Sequence, residues 1–142
     1  MASKQDTRST PIRLLLIDDE IGYVNVLSNR LTKRNFQVGK AHSGSEAFQV
    51  LRQNDFDVAV LDLKMEDMDG IEILKILKKM APELVVIMLT GHGSAEAAHE
   101  GIKQGAYDYL TKPCELDELI KKIQHAYARR SSHQRPPAKL RV

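Results

Sequence analysis

The sequence predicts an α/β domain built on an open, parallel β-sheet. From Ile12 onward, five short apolar segments alternate with five segments of helical character, which is typical of parallel strands joined by crossover helices. Three of the apolar segments are apolar throughout, as expected for central strands covered by helices on both faces. A chain of 142 residues is long enough for one domain with a sizeable core.

The predicted strands, in chain order, span residues 12–17, 36–41, 56–61, 84–89 and 106–110. The second strand alternates Phe36 and Val38 with polar neighbours, as an edge strand would. Four of the helical segments carry apolar residues at a spacing of three or four, and we expect them to bury one face. Their apolar sets begin at Ile21, Ala47, Ile71 and Leu116.

Residue types at the helix ends support these assignments. Ser43 followed by Glu46 predicts a capping box, and acidic residues open the last predicted helix while basic residues lie toward its end. The fourth helix, 94–104, is the weakest by pattern, because its apolar residues are small and Gly101 lowers its propensity. Two interpretations stay open for it: a loosely anchored helix that moves easily, or a helix of small residues packed closely on the sheet.

The positive charge of the chain is concentrated at its end. Five basic residues and no acid lie in 129–142; removing them from the 21 basic residues leaves 16 against 19 acidic residues, so the rest is near −3. The body therefore has no evident surface for a nucleic-acid backbone. We expect residues 1–11 to be a flexible N-terminus and residues 131–142 a flexible basic tail or linker.

No stretch of 18 apolar residues and no signal-type segment is evident, which favours a cytoplasmic protein without a membrane span. The single cysteine, Cys114, agrees with a reducing compartment, and we interpret it as a small buried hydrophobic residue rather than a redox sensor. The five histidines do not form a metal-binding pattern: His92 and His99 are seven residues apart, without ligand partners at useful spacing. His92 is predicted to border the entrance of the site described next.

Polar residues stand where the predicted strands end. Asp18 and Asp19 follow the first strand, Asp62 ends the third, Thr90 ends the fourth and Lys112 follows the fifth. In an open parallel sheet, ligands bind beyond the carboxyl ends of the strands, near the point where strand order reverses. We therefore expect these five side chains to form one site.

The residue types indicate a cation and a phosphoryl group. Two unit charges about 4 Å apart repel by about 4 kcal/mol at an effective dielectric near 20, unless a cation or protons compensate. Mg²⁺ prefers oxygen ligands, which Asp19, Asp62 and a backbone carbonyl just past Asp62 would supply, with Asp18 acting through water. Lys112 and Thr90 would oppose charge on a phosphoryl group, and the Asp62 carboxylate is the natural nucleophile.

These residues, taken together, resemble a response-regulator receiver domain of the two-component, or phosphorelay, signalling type, as in chemotaxis regulators. The resemblance covers about 12–130. It rests on six motifs in order: Leu16-Ile17-Asp18-Asp19-Glu20, Asp62-Leu63-Lys64-Met65, Met68-Asp69-Gly70, Leu89-Thr90-Gly91, Gly105-Ala106-Tyr107-Asp108-Tyr109-Leu110 and Lys112-Pro113.

The resemblance implies a flavodoxin-like, doubly wound, five-stranded parallel sheet of order 2-1-3-4-5, (βα)5, with two helices on one face and three on the other. It also implies a role for each site residue. Asp62 would be the phosphoacceptor, and Asp18 and Asp19 would be the acidic pair that binds Mg²⁺ or, alternatively, Mn²⁺. Lys64 would provide its main-chain carbonyl as a further metal ligand. Thr90 would be the switch hydroxyl, Lys112 the phosphate partner, Tyr109 the switch aromatic, and Pro113 would follow a cis peptide bond.

The resemblance further implies a signalling partner rather than an enzyme with turnover. A sensor histidine kinase or phosphotransfer protein would donate the phosphoryl group, and the surface made by 94–127 would change for an effector domain or downstream protein. The same surface would allow a homodimer. Neither nucleic acid nor membrane is an expected partner of this domain.

One residue departs from the family pattern. Glu66 stands where a proline usually follows methionine, so we expect altered rigidity of this loop or altered metal affinity. Three other functions stay open. A flavodoxin-type cofactor binder would need a glycine- and hydroxyl-rich loop where this chain has three acids. A Mg²⁺-dependent phosphohydrolase would need a second acid where Lys64 stands, and the third alternative is a receiver-like binding module that is never phosphorylated.

Overall fold

The computed structural model describes residues 10–91 and 95–132. Five strands alternate with five helices: β1 Arg13–Ile17, α1 Ile21–Lys33, β2 Gln37–Ala41, α2 Gly44–Gln53, β3 Val58–Asp62, α3 Gly70–Met80, β4 Val85–Thr90, α4 Ala95–Lys103, β5 Asp108–Thr111 and α5 Leu116–Ser132. The predicted strand boundaries differ from these by at most two residues. Most of the predicted flexible ends, 1–9 and 133–142, lies outside the described residues, as does His92.

All strand pairs are parallel, and their order is β2-β1-β3-β4-β5. The predicted order and the edge position of the second strand are therefore confirmed. The chain runs outward from β1 to β2 and then crosses to β3 on the other side of β1. The carboxyl ends of β1 and β3 lie side by side at this reversal, since Ile17 is in register with Leu61.

Successive residues of the central strands enter opposite cores, because side chains alternate across a sheet. Leu14 and Leu16 pack in a cluster with residues of α1 and α5. Leu15 and Ile17 pack in the other cluster with residues of α2 and α3. The α4 helix packs on this second face, where Gly101 meets Met88 of β4. The doubly wound arrangement with two helices on one face and three on the other is thus confirmed.

The α4 helix packs closely on the sheet, as one of the two interpretations of its small residues expects. Ala98 has no exposed surface, and a Cβ atom added at Gly101 would lie 2.1 Å from Met88 Sδ. Glycine at this position therefore permits a close approach of helix and strand. None of the helices in the described ranges has the length and apolar content needed to cross a bilayer.

The predicted capping box is half correct. The Ser43 hydroxyl accepts a hydrogen bond from Glu46 N–H at 3.0 Å. The Glu46 carboxylate, however, accepts from His42 N–H at 2.5 Å rather than from Ser43. The reciprocal bond is thereby displaced by one residue toward the end of β2.

Candidate phosphoryl and metal site

Three aspartates meet at the carboxyl edge of the sheet. Asp18 directly follows β1, Asp62 is the last residue of β3, and one oxygen from each of Asp18, Asp19 and Asp62 lies within 4.8 Å of the other two. Asp18 and Asp62 are only 3% and 5% exposed, whereas Asp19 is half-buried. The structure thus brings together the three carboxylates that the sequence predicted to share a site.

Backbone N–H groups orient these carboxylates. Asp18 Oδ1 accepts from Glu20 N–H at 2.9 Å, and Asp62 Oδ1 accepts from Lys64 N–H at 3.1 Å. Asp19 Oδ2 accepts from Glu66 N–H at 3.1 Å. The N–H that a proline at position 66 would lack therefore contacts one of the predicted metal ligands.

The ammonium group of Lys112 contacts the acidic cluster directly. Its Nζ donates to Asp18 Oδ2 at 2.9 Å, Glu20 Oε1 at 3.0 Å and Asp62 Oδ2 at 3.4 Å. The same atom is 4.6 Å from the centre of the Tyr23 ring, within range of a cation–π contact. Its backbone N–H donates to Thr90 O at 2.7 Å, and the predicted cis peptide bond between Lys112 and Pro113 is present.

Glu20 and Tyr23 contact Lys112 although neither was predicted as its partner from the sequence. Glu20 offered a signal, since it is the third acid in the run after β1. Tyr23 offered none, because an aromatic residue in the first turn of a helix is more often part of the core. Its contact depends on how α1 leaves the sheet edge.

The pKa values in the site are shifted by burial and by neighbouring charges. Burial raises the pKa of the Asp62 carboxyl and Asp18 adds to this shift, while the Lys64 N–H and Lys112 act against it. Burial by itself would lower the pKa of Lys112, but hydrogen bonds to Asp18 and Glu20 outweigh it and the net shift is upward. Lys112 is therefore a permanent cation at neutral pH, and Asp62 is a carboxylate held in an unfavourable environment.

Thr90 and Tyr109 lie on β4 and β5, the strands that follow β3 on the side of the sheet away from β1. Thr90 ends β4, one residue beyond the Leu89 that is in register with Asp62, and it is 3% exposed. Tyr109 is in register with Met88 and is 38% exposed. The Tyr109 side chain thus reaches solvent.

Cys114 is half-buried rather than buried, which corrects part of its interpretation. It packs against the α1 and α5 core cluster, and burial raises the pKa of its thiol. A raised pKa disfavours the reactive thiolate, in keeping with a packing role.

The acidic cluster has the chemistry that Mg²⁺ requires. Three carboxylates converge from two adjacent strands, all with hard oxygen donors, and two of them are largely buried. The cluster contains four carboxylates, those of Asp18, Asp19, Glu20 and Asp62. Among the described residues, Lys112 supplies the one ammonium group that contacts them, so the cluster has an excess of negative charge. A divalent cation would remove most of this excess.

The comparisons with known proteins agree with this geometry. The family model described as "Response regulator receiver domain" matches residues 14–124. The transcriptional regulatory protein GlrR of Escherichia coli is 39% identical over 116 residues, which are 82% of this chain and 26% of that protein. TrcR of Mycobacterium tuberculosis is 37% identical over 129 residues, 91% of this chain and 50% of that protein. The chain thus spans between a quarter and half of these curated relatives.

Solved structures give the same result for the fold. A receiver domain protein of Clostridium thermocellum has a TM-score of 0.82 at 33% identity, with 87% of this chain and 99% of that chain covered. A CheY-like receiver domain protein of Methanospirillum hungatei has a TM-score of 0.83 at 27% identity, with 87% and 98% covered. By its sequence and its fold, the chain belongs to the family of response regulator receiver domains of two-component signalling.

Proposed function

We propose that this chain accepts a phosphoryl group on Asp62 in a Mg²⁺-dependent reaction. The observation that carries the proposal is the environment of Asp62: a buried carboxylate with one oxygen on a backbone N–H, the other facing Lys112, and two further carboxylates within 4.8 Å. Such an arrangement positions a nucleophile beside both a cation site and a phosphate-binding ammonium group. The phosphoryl donor is a histidine of a sensor kinase or phosphotransfer protein.

The transfer step forms one bond and breaks one. A carboxylate oxygen of Asp62 attacks phosphorus, the phosphorus–nitrogen bond to the donor histidine breaks, and its electron pair returns to the imidazole, which takes a proton from water. The product is an aspartyl phosphate. The Lys64 N–H holds the other carboxylate oxygen, so that the nucleophile keeps one orientation throughout.

Asp18, Asp19 and Asp62, with the main-chain carbonyl of Lys64, would hold Mg²⁺ or, alternatively, Mn²⁺. When bound, the cation neutralises charge on the transferred oxygens. Lys112 supplies the second positive charge, since its Nζ already lies 3.4 Å from Asp62 Oδ2. Glu20 and Asp18 hold this ammonium group at the mouth of the cluster before phosphorylation.

Phosphorylation is proposed to switch the surface formed by 94–127. A phosphoryl group brings more acceptor oxygens than the carboxylate it modifies, and we propose the hydroxyl of the buried Thr90, at the end of the neighbouring strand, as its donor. Tyr109 would rotate as Thr90 moves inward. A Tyr109→Phe variant should weaken phosphorylation-dependent partner binding, and unchanged binding would refute the switch role of Tyr109.

The output is proposed to lie outside this domain. The curated relatives named above are called transcriptional regulatory proteins and are longer than this chain. We place the receiver domain at 12–130 and propose that it acts in the cytoplasm on an effector domain or a downstream protein. Formation of a homodimer through the surface of 94–127 is one way in which phosphorylation would control that output. The domain binds neither nucleic acid nor membrane itself.

Labelling with a small phosphodonor tests the proposal. Purified protein incubated with acetyl phosphate and Mg²⁺ should gain one phosphoryl group, whereas chelation of Mg²⁺ or the Asp62→Asn substitution should abolish the gain. Incorporation by the Asp62→Asn variant equal to the parent would refute it. Sustained hydrolysis of small phosphoesters would instead favour the phosphohydrolase alternative, and no labelling at all would favour a module that is never phosphorylated.

A further inference from the structure

The loop between β3 and α3, residues 63–69, supplies two groups to the site. These are the Lys64 carbonyl proposed as a metal ligand and the Glu66 N–H that donates to Asp19 Oδ2. The base of the loop is tightly closed. Leu63 N–H donates to Leu89 O, and a Cβ atom added at Gly70 would lie 2.5 Å from Leu63 O. The freedom that remains is therefore in the tip of the loop, where Glu66 and Asp67 are exposed.

Asp67 fastens this tip to another element of the fold. Its Oδ1 accepts from Gly44 N–H at 3.0 Å, and its Oδ2 lies 3.3 Å from Ser45 N, which also donates to it. Gly44 and Ser45 begin α2, where backbone N–H groups have no partner within the helix. These bonds lower the pKa of the Asp67 carboxyl, so it is ionised at neutral pH, and the positive end of the helix dipole favours that charge.

Two neighbouring residues thus hold the tip from two sides. Asp67 contacts α2, and Glu66 contacts Asp19 on the β1 side of the site. Because the two residues share one peptide bond, the position of the Glu66 N–H depends on where Asp67 is held. A proline at position 66 would make the tip stiffer but could not donate this hydrogen bond.

We propose that Asp67 is a positioning residue for the metal site: its bonds to the first N–H groups of α2 place the Glu66 N–H against Asp19. This inference rests on the proposed function, because Asp19 matters as a metal ligand. Asp67 itself touches neither Asp62 nor Asp19 in the contacts described above. Its effect is transmitted through one backbone amide.

Hydrogen exchange in the absence of divalent cations tests the positional part. In an Asp67→Ala variant the Glu66 amide should exchange about fivefold faster than in the parent, the factor that corresponds to loss of a typical helix cap. An Asp67→Asn variant keeps an acceptor oxygen and should restore most of the protection. Faster exchange confined to Gly44 and Ser45, with Glu66 unchanged, would show a helix cap only and would overturn the inference.

Asp69 provides the matched control. It lies in the same loop, is exposed and carries the same charge, but it makes no side-chain capping bond to α3. An Asp69→Ala variant should therefore leave exchange of the Glu66 amide at the parent rate. Equal acceleration in both variants would show a general loosening of the loop and would also overturn the inference.

Titration with Mg²⁺, followed by NMR shifts of backbone amides, tests the consequence. Asp67→Ala should bind Mg²⁺ about tenfold more weakly than the parent, at the lower end of what loss of an outer-shell contact costs. Asp69→Ala should bind Mg²⁺ with an affinity within about twofold of the parent, because a single exposed charge acts weakly through solvent. Equal weakening in both variants would show that only the loss of a negative charge matters and would refute the role of Asp67. Failure of the parent to bind Mg²⁺ would refute the proposed function, and the exchange experiment would still decide whether Asp67 positions Glu66.

Discussion

Replacement of Asp62 by asparagine should stabilise the protein when no divalent cation is bound. The substitution keeps the shape of the side chain and the oxygen that accepts from Lys64 N–H at 3.1 Å. It removes a charge from a carboxylate that is 5% exposed and crowded by two other aspartates. Lys112 loses one partner but keeps Asp18 and Glu20 at 2.9 and 3.0 Å.

The magnitude follows from the distances. Two carboxylates with an oxygen within 4.8 Å of Asp62 each repel it by about 3.5 kcal/mol at an effective dielectric near 20. Lys112 Nζ, at 3.4 Å, attracts it by about 5 kcal/mol on the same scale. The balance is a repulsion of about 2 kcal/mol, so the variant should melt about 5 to 10 °C higher in a domain of this size.

The gain in stability of the Asp62→Asn variant should increase as the pH rises from acid to neutral. The pKa of folded Asp62 is raised above its ordinary value of 3.8, so the ionised form destabilises the fold at any pH above the folded pKa. Below the ordinary value the carboxyl is protonated in both states and the penalty vanishes. The stability difference between variant and parent should thus be largest at neutral pH and shrink in acid.

Mg²⁺ should reverse the order of the two proteins. Binding at about 100 times the dissociation constant adds about 2.7 kcal/mol to the parent, which exceeds the repulsion of about 2 kcal/mol. The order therefore reverses when the variant, which lacks one ligand charge, gains less than about 0.7 kcal/mol from Mg²⁺. Thermal melts in chelator and in Mg²⁺, with Asp69→Asn as the control, measure both effects. A variant that is less stable than the parent in chelator, or that gains as much from Mg²⁺, would refute the electrostatic reasoning.

Three further substitutions should change the free energy of unfolding, measured by urea denaturation. Lys112→Met leaves the buried Asp18 without its ammonium partner and should destabilise by about 3 kcal/mol; no loss would contradict the ion pair. Asp57, which directly precedes β3 and is 2% exposed, accepts hydrogen bonds from Arg13 and Arg130. Burial raises the pKa of Asp57, but the hydrogen bonds from Arg13 and the charge of Arg130 lower it overall, so Asp57→Asn should cost about 3 kcal/mol at neutral pH and less as the pH falls through the lowered pKa. A cost independent of pH would contradict this. Gly101→Ala should cost about 1 kcal/mol net, because displacing the buried Met88 side chain outweighs a gain in helix propensity of about 1 kcal/mol, and a Met88→Ala background should relieve part of the cost.

The fold and the site were predictable where they depend on local pattern. The apolar segments defined the strands because a strand covered on both faces must be apolar throughout, and Asp18, Asp62 and Lys112 fell at strand ends by counting along those segments. The order of the strands came from resemblance to a family. Spacing alone does not determine which strand is paired with which.

Contacts that exposed loop residues make with distant segments were not predictable, unlike the contacts among residues at strand ends. The ion pair of Lys112 with Glu20 joins residues 92 apart, and the bonds of Asp67 to α2 join residues 22 and 23 apart. Exposed polar residues in loops carry no periodicity, so the sequence does not indicate which of them meet. Asp67 and Asp69 look alike in the sequence, and only Asp67 binds the start of α2.

The identity of the phosphorylated residue can be read by chemical trapping. Borohydride reduces an aspartyl phosphate to homoserine. Protein treated with acetyl phosphate and Mg²⁺ and then with borohydride should therefore contain homoserine at position 62, detected by peptide mass spectrometry. A sample treated in the same way without Mg²⁺ should contain none. Homoserine at position 18 or 19 in place of 62, or no homoserine in protein that binds Mg²⁺, would contradict phosphorylation of Asp62.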